Sequence, residues 1–167
     1  MSHVLHFTPQ QIAIAAPPGL VWQLLAAVGR GHIPGSPNRA RILAQQGPQR
    51  LVIEFTSPNG KRSLTTIEEV ILDPARWQMR FRHLSGPLPG TRETFTLTAD
   101  GPVTLLHYQG SYRPPFGLLG QLVAPRFITP VADRLVREHM VEVQEAAEAR
   151  FARSHVYARP TPAVNES

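Results

Sequence analysis

Between Arg39 and Tyr112 apolar and polar residues alternate with a period of two, the pattern of strands that bury one face. Six runs follow it: "RARILAQ", "RLVIEFTS", "RSLTTIEEVIL", "RWQMRFRHL", "TRETFTLTA" and "VTLLHYQGSY". Ahead of them "QQIAIAA" reads as a short strand that leads into "PPGLVWQLLAAVG". There Pro17 and Pro18 suit a helix start, and Leu20, Val21, Leu24, Leu25 and Val28 form an apolar stripe that stops at Gly29. "RGHIPGSPN" is too rich in Gly and Pro for regular structure. From about Phe116 the period changes to that of a helix. Between Thr129 and Arg153, Val131, Leu135, His139, Val143, Ala147 and Phe151 recur about every four residues and predict a long amphipathic helix. Short links between strands leave no room for parallel crossovers, so the predicted class is α+β with an antiparallel sheet.

The turns set which side chains share a face. Asn59-Gly60 as a two-residue loop pairs Pro58 with Lys61, and so Phe55 with Leu64, Ile53 with Thr66 and Leu51 with Glu68. A three-residue loop, Pro58-Asn59-Gly60, is the alternative, because proline has no N–H for the closing pair, and it would set Phe55 against Ser63. "DPAR" as a four-residue loop pairs Leu72 with Trp77, Val70 with Met79, Glu68 with Phe81 and Thr66 with His83. Asp100-Gly101 pairs Leu97 with Thr104, Phe95 with Leu106 and Glu93 with Tyr108, and "SGPLPG" leaves His83 opposite Thr91 or Glu93. One face then collects Leu51, Ile53, Phe55, Leu64, Val70, Leu72, Trp77, Met79, Phe81, Phe95, Leu97 and Leu106. The same parity carries Thr66, Glu68, His83, Glu93, Tyr108 and Tyr112 inward, and sends Arg76, Gln78, Arg80, Arg82 and Arg92 outward.

Burying such polar groups in a closed core costs about 2–7 kcal/mol each without a hydrogen bond. A cavity between sheet and long helix, apolar along most of its length and polar at one end, accounts for the pattern at lower cost. Its expected lining is Phe55, Glu68, Trp77, Met79, Phe81, His83, Glu93, Phe95, Leu106, Tyr108 and Tyr112. For Glu68 the competing reading is a strand irregularity that returns it to solvent, and for His139 a core histidine or the edge of its stripe.

The chain has 167 residues, enough for one domain over about residues 1–154, with "SHVYARPTPAVNES" expected to form a disordered tail over residues 155–167. The composition, 42% hydrophobic and 17% charged, is that of a globular protein, and no apolar run is long enough to span a membrane. "MSHVLHFTPQQ" lacks the form of a secretory signal, which makes the cytoplasm the expected location. The chain has no cysteine, so disulfides and thiol catalysis are excluded. A net charge of +5 comes from scattered arginines without a basic run or interleaved aromatics, so no nucleic-acid partner is expected. No H-E-x-x-H or G-x-S-x-G occurs and "SPNGKRS" lacks the earlier glycine of a phosphate loop, so neither a metal nor a cofactor is expected.

The order strand, helix, helix, six strands, long helix resembles the helix-grip fold of the START-related superfamily, often called SRPBCC. "IAIAAPPGLVWQLLA" is similar to its first strand and following helix, "FRHLSGPLPGTRETFTLTADGPVTLLHY" to its central hairpins, and "FITPVADRLVREHMVEVQEAAEARF" to its terminal helix. The likeness runs over residues 8 to 154 and is greatest to the polyketide cyclase/dehydrase and coenzyme Q-binding branches. It departs at "VGRGHIPGSPNRA", where many relatives carry an aspartate followed by Trp-Pro. The resemblance implies a curved antiparallel sheet wrapped around the long helix, enclosing a deep cavity for a lipid, an isoprenoid quinone or a polyketide-like chain.

Three functions fit these expectations. The first is binding of a small hydrophobic ligand, its polar group oriented by His83, Glu93, Tyr108 and Tyr112. The second is a polyketide aromatase/cyclase in which His83, oriented by Glu93, removes a proton between two carbonyls while Tyr108 donates to the enolate oxygen. The third is an interaction module whose outward arginines meet an acidic partner or a membrane surface at its periphery.

Overall fold

The computed structural model describes residues 3–30 and 36–157. The strands are β1 (Leu5–His6), β2 (Gln10–Ile14), β3 (Arg39–Gln46), β4 (Arg50–Asn59), β5 (Arg62–Asp73), β6 (Gln78–Ser85), β7 (Arg92–Asp100) and β8 (Val103–Tyr112). The helices are α1 (Pro18–Ala26), α2 (Gly117–Phe127) and α3 (Thr129–Tyr157). The strands form one curved antiparallel sheet in the order β1-β8-β7-β6-β5-β4-β3, with β2 also on β8, and the long C-terminal helix gives the α+β helix-grip arrangement. The six expected strands are present. The expected N-terminal strand appears as β2, and an additional two-residue strand, β1, precedes it, the two separated at Pro9, which lacks an N–H to donate. The helical reading from Phe116 resolves into α2 and α3, and most of "RGHIPGSPN" and of the expected tail lies outside the described residues, although α3 itself runs to Tyr157.

The three hairpins differ from the predicted registers in the same way. The loop in the first is Gly60-Lys61, closed by Asn59 and Arg62, so Phe55 faces Thr66, Ile53 faces Glu68 and Leu51 faces Val70. In the last it is Gly101-Pro102, so Leu97 faces Leu106, Phe95 faces Tyr108 and Glu93 faces Gly110. Gly60 and Gly101 have φ of 62° and 56°, which puts glycine first in the loop, as in a type II′ turn. Proline explains the choice. The predicted loops would place Pro58 or Pro102 in the closing pair, which needs an N–H, whereas the observed ones move Pro102 into the turn and Pro58 one pair down the ladder. In the middle hairpin Asp73 pairs with Gln78, so Trp77 leaves the strand for the loop, at φ 53°, and Glu68 moves from Phe81 to His83. His83 itself lies opposite Thr91. Each correction moves the pairing by an even number of residues, so every side chain keeps its predicted face.

The core fills the concave side. Leu51, Ile53, Val70, Leu72, Met79, Leu97 and Leu106 of the sheet are buried, with Val21 and Leu25 of α1 and Met140, Val143 and Ala147 of α3. The predicted α3 stripe is right at Val143 and Ala147, but Val131 is exposed and the fully buried Met140 was not on it. A strict spacing of four drifts around a helix of 3.6 residues per turn.

Side chains clasp α3 at both margins of the sheet. At the β1-β2 margin Gln144 Nε2 donates to the Ala13 carbonyl (2.8 Å), Glu148 Oε1 accepts from the Ala15 amide (2.9 Å), and Asp133 Oδ1 accepts from the Thr8 amide (3.1 Å). These bonds satisfy groups that an edge strand would otherwise leave open. On the approach to β3, Ser36 Oγ donates to Glu142 Oε2 at 2.9 Å. The helix is thereby held across the concave face rather than along one side of it.

Candidate functional site

A row of rings crosses the concave face from β4 to β8. Phe55 and Phe81 have centroids 6.1 Å apart, Phe81 and Phe95 5.8 Å, and Phe95 and Tyr108 5.1 Å. His139 of α3 meets Phe95 edge-on at 6.0 Å, so the histidine of the helical stripe turns toward the sheet. Phe55 and Phe81 remain half-buried although they point inward, whereas Met79 and Leu106 are closed into the core.

Polar side chains gather beside this row. His83 Nε2 is 2.7 Å from Glu93 Oε2 and 3.4 Å from Glu68 Oε1. Tyr108 Oη donates to Glu93 Oε1 at 2.6 Å, and Thr66 Oγ1 donates to Glu68 Oε1 at 2.5 Å. The β5–β6 register brings Glu68 in by setting it opposite His83, so its carboxylate is buried and does not return to solvent. A bulge between Ile67 and Glu68 lies next to this pairing. Tyr108 reaches Glu93 on the diagonal because the residue opposite Glu93 is Gly110. A Cβ at position 110 would lie 2.6 Å from Tyr108 Oη and 2.7 Å from Phe7 Cδ2.

The electrostatics follow from burial in the presence of partners. Burial pushes the Glu68 pKa up and the Glu93 charge adds to this, against the opposing pull of His83 and Thr66. Burial by itself would lower the His83 pKa, but the hydrogen bond to Glu93 and the charges of Glu68 and Glu93 outweigh it and leave the pKa raised. Burial, then Glu93, holds the Tyr108 phenol far above its usual range, so it stays a donor. Burial lowers the His139 pKa and favours the neutral ring. The cluster thus combines an imidazole that holds its proton, a carboxyl that readily accepts one and a phenol that keeps its own. Ligand atoms of Glu68, His83 and Glu93 lie within 4.8 Å of one another, close enough to share one cation. That three-strand grouping has no local spacing motif to announce it.

The other candidates stand apart. Tyr112 stacks on Phe7 at 4.6 Å, and its hydroxyl is 2.8 Å from Thr129 Oγ1, at the start of α3. Trp77 packs against Trp22 of α1 at 6.2 Å, away from the polar cluster. On the convex face the arginines are partly matched by acids: Arg82 and Arg50 both pair with Glu69, and Arg41 with Glu54. Thr66 and Gly110 are the members of the site that sequence reasoning left off its lining. Thr66 was legible as an inward polar residue, but Gly110 becomes visible only once the register sets it beside Glu93.

The chain matches a family model described as polyketide cyclase/dehydrase and lipid transport over residues 8–151. No curated protein sequence matches it. Among solved structures it is similar to the Zhui aromatase/cyclase from Streptomyces sp. R1128, with a TM-score of 0.64, 23% identity and coverage of 90% of this chain and 95% of that one. It is also similar to a START superfamily protein from Mycobacterium smegmatis, with a TM-score of 0.63, 17% identity and coverage of 89% and 99%. The di-domain aromatase/cyclase StfQ of the steffimycin biosynthetic pathway gives a TM-score of 0.66 at 19% identity, over 86% of this chain and 45% of that one. At these identities the structures speak for the fold, and the family match over most of the chain speaks for descent: the chain belongs to the polyketide cyclase/dehydrase and lipid transport family of the START-related superfamily.

Proposed function

We propose that the protein binds a small hydrophobic molecule that carries a polar group, of the lipid, isoprenoid quinone or polyketide-like class, in a deep cavity between the sheet and α3. The observation that carries this reading is the concave face itself, where half-buried rings end in a hydrogen-bonded cluster of Glu68, His83, Glu93 and Tyr108. A closed core gains nothing from four such groups. A site for an amphiphile gains apolar contact from Phe55, Phe81 and Phe95 and a polar anchor at one end. A protonated Glu68 can donate to a carbonyl or hydroxyl of the ligand, and the His83 charge orients it.

Gentle native mass spectrometry of freshly purified protein, followed by organic extraction, tests the reading. A defined co-purifying amphiphile is expected, with weaker retention in His83→Ala. A protein that purifies empty and takes up no lipid, quinone or poly-β-ketone would overturn it.

Cyclase chemistry is the second reading, supported by the family and by the likeness to aromatase/cyclases. The geometry redistributes the roles expected for it. His83 Nε2 is turned to Glu93 and its pKa is raised, which favours a positioning cation over a general base. Glu68, made more basic by burial, is then the better proton acceptor, and Tyr108 would have to give up Glu93 to donate to an enolate. Loss of turnover of a poly-β-ketone in Glu68→Gln, with binding of a cyclised product analogue retained, would favour this reading over simple carriage.

A further inference from the structure

The helix α2 is built inside out. The residues it buries are Gly120 and Ala124, while Leu118, Leu119, Leu122 and Phe127 are 80%, 67%, 77% and 68% exposed. Phe116, at the N-cap, is 86% exposed, and Val123 of the same helix is exposed as well. At 3.6 residues per turn, Leu118, Leu122, Leu119, Val123 and Phe127 fall within an arc of about 180°, with Arg126 near its middle. Apolar patches this concentrated on a folded domain mark a surface that meets something else.

The patch is held in place. Phe116 and Gly117 both adopt left-handed backbone, at φ 65° and 57°, and turn the chain so that Gly120 sits on the carbonyl of Pro115. A Cβ at position 120 would lie 1.6 Å from that oxygen, so glycine alone allows the close approach.

Charge decides between partners. From Gly101 to Ala132 the sequence holds no Asp or Glu, while Arg113 and Arg126 flank or interrupt the apolar arc. A two-fold pairing of α2 with a second copy would bury Arg126, near the middle of the apolar arc, with no acid on the facing helix to meet it. An anionic bilayer suits both parts, since the leucines and phenylalanines enter the acyl boundary and the arginines snorkel to phosphate. We propose that α2, with Phe116 at its head, docks the protein on an anionic lipid surface. The contact goes beyond the ligand reading. It would set the sheet-and-helix interior beside a reservoir of amphiphiles.

The experiment is sedimentation with phosphatidylcholine vesicles, with and without a quarter of phosphatidylglycerol, at low and high salt. Partition is read on protein stripped of any ligand, so it stands or falls separately from the ligand reading. Wild-type protein is expected to bind the anionic vesicles and to be released by salt. Leu118→Gln with Leu122→Gln should weaken partition at least about tenfold with an unchanged melting temperature, since both positions are exposed. Arg126→Gln should weaken it about fivefold at low salt and little at high salt. Wild-type protein that stays in solution, a double variant that still binds, or equal binding to neutral vesicles would overturn the proposal. So would a dimer in solution that the double variant splits in the absence of vesicle binding, since α2 would then serve a second copy.

Discussion

Replacing His83 by alanine probes the charge arrangement on which the site rests. The side chains of His83 and Glu93 are 14% and 16% exposed, and the substitution removes a 2.7 Å contact with Glu93 and a 3.4 Å approach to Glu68. Breaking a buried ion pair from one side costs about 3–5 kcal/mol, because the surviving charge has lost its partner. Residual solvent contact and the freedom of a buried carboxyl to take up a proton reduce the expected loss to about 2–3 kcal/mol. For a chain of this size that lowers Tm by about 4–12 °C. The loss should also depend on pH. The folded pKa of His83 lies above its ordinary 6.5, so its contribution is complete below the unfolded pKa and is lost as pH rises through the folded one. The gap between wild type and His83→Ala should therefore be widest just below neutrality and narrow toward alkaline pH. Urea denaturation followed by circular dichroism across that window measures it, with Glu93→Gln and the double variant completing a cycle. A gap that stays flat with pH, or a loss under about 0.5 kcal/mol, would refute the picture of a buried imidazolium held by Glu93 beside Glu68.

Further outcomes follow from neighbouring contacts. Burial raises the folded pKa of Glu68, so its contribution to stability is present at low pH and lost as pH rises through that value. Glu68→Gln should gain on wild type from acid to neutral pH in denaturation curves, and the opposite trend would show that its charge is well solvated or paired. Tyr108→Phe should cost about 1.5–3 kcal/mol as a lost bond to a charged acceptor. Gly110→Ala should cost about 1–3 kcal/mol by crowding the same hydroxyl, and the two should combine non-additively in a double-mutant cycle. Met140→Ala, at a position with no exposure, should cost about 2–5 kcal/mol by chemical denaturation. Glu148→Ala should speed hydrogen exchange at the Ala15 amide while leaving central strands protected, because it opens one clasp between α3 and the sheet margin.

The faces of the strands were legible from the chain because a side chain's face depends only on parity. The hairpins at Asn59-Gly60, "DPAR" and Asp100-Gly101 closed away from their predicted positions, yet Phe55, Glu68, His83, Glu93 and Tyr108 remained on the concave side. The period of α3 was equally plain, although its buried residues shifted to Met140. Turn chemistry was legible in part: Pro58 and Pro102 already argue against their predicted loops, since neither can donate in a closing pair.

Other features depend on distances across the fold and have no local signal. The grouping of Glu68 with His83 required the four-residue loop to close at Asp73 and Gln78, which expelled Trp77 from its strand. The diagonal bond from Tyr108 to Glu93 required an absent side chain at Gly110, on a neighbouring strand. The exposure of the apolar side of α2 has no signal in the chain, because a hydrophobic stripe records that a face will be covered and not by what. Local alternation determined which residues could meet, since two-residue periodicity is a property of a single strand. Which of them did meet, and which face was left open, was settled by register and by the docking of α2 and α3, because those choices minimise the energy of the whole fold rather than of any one segment.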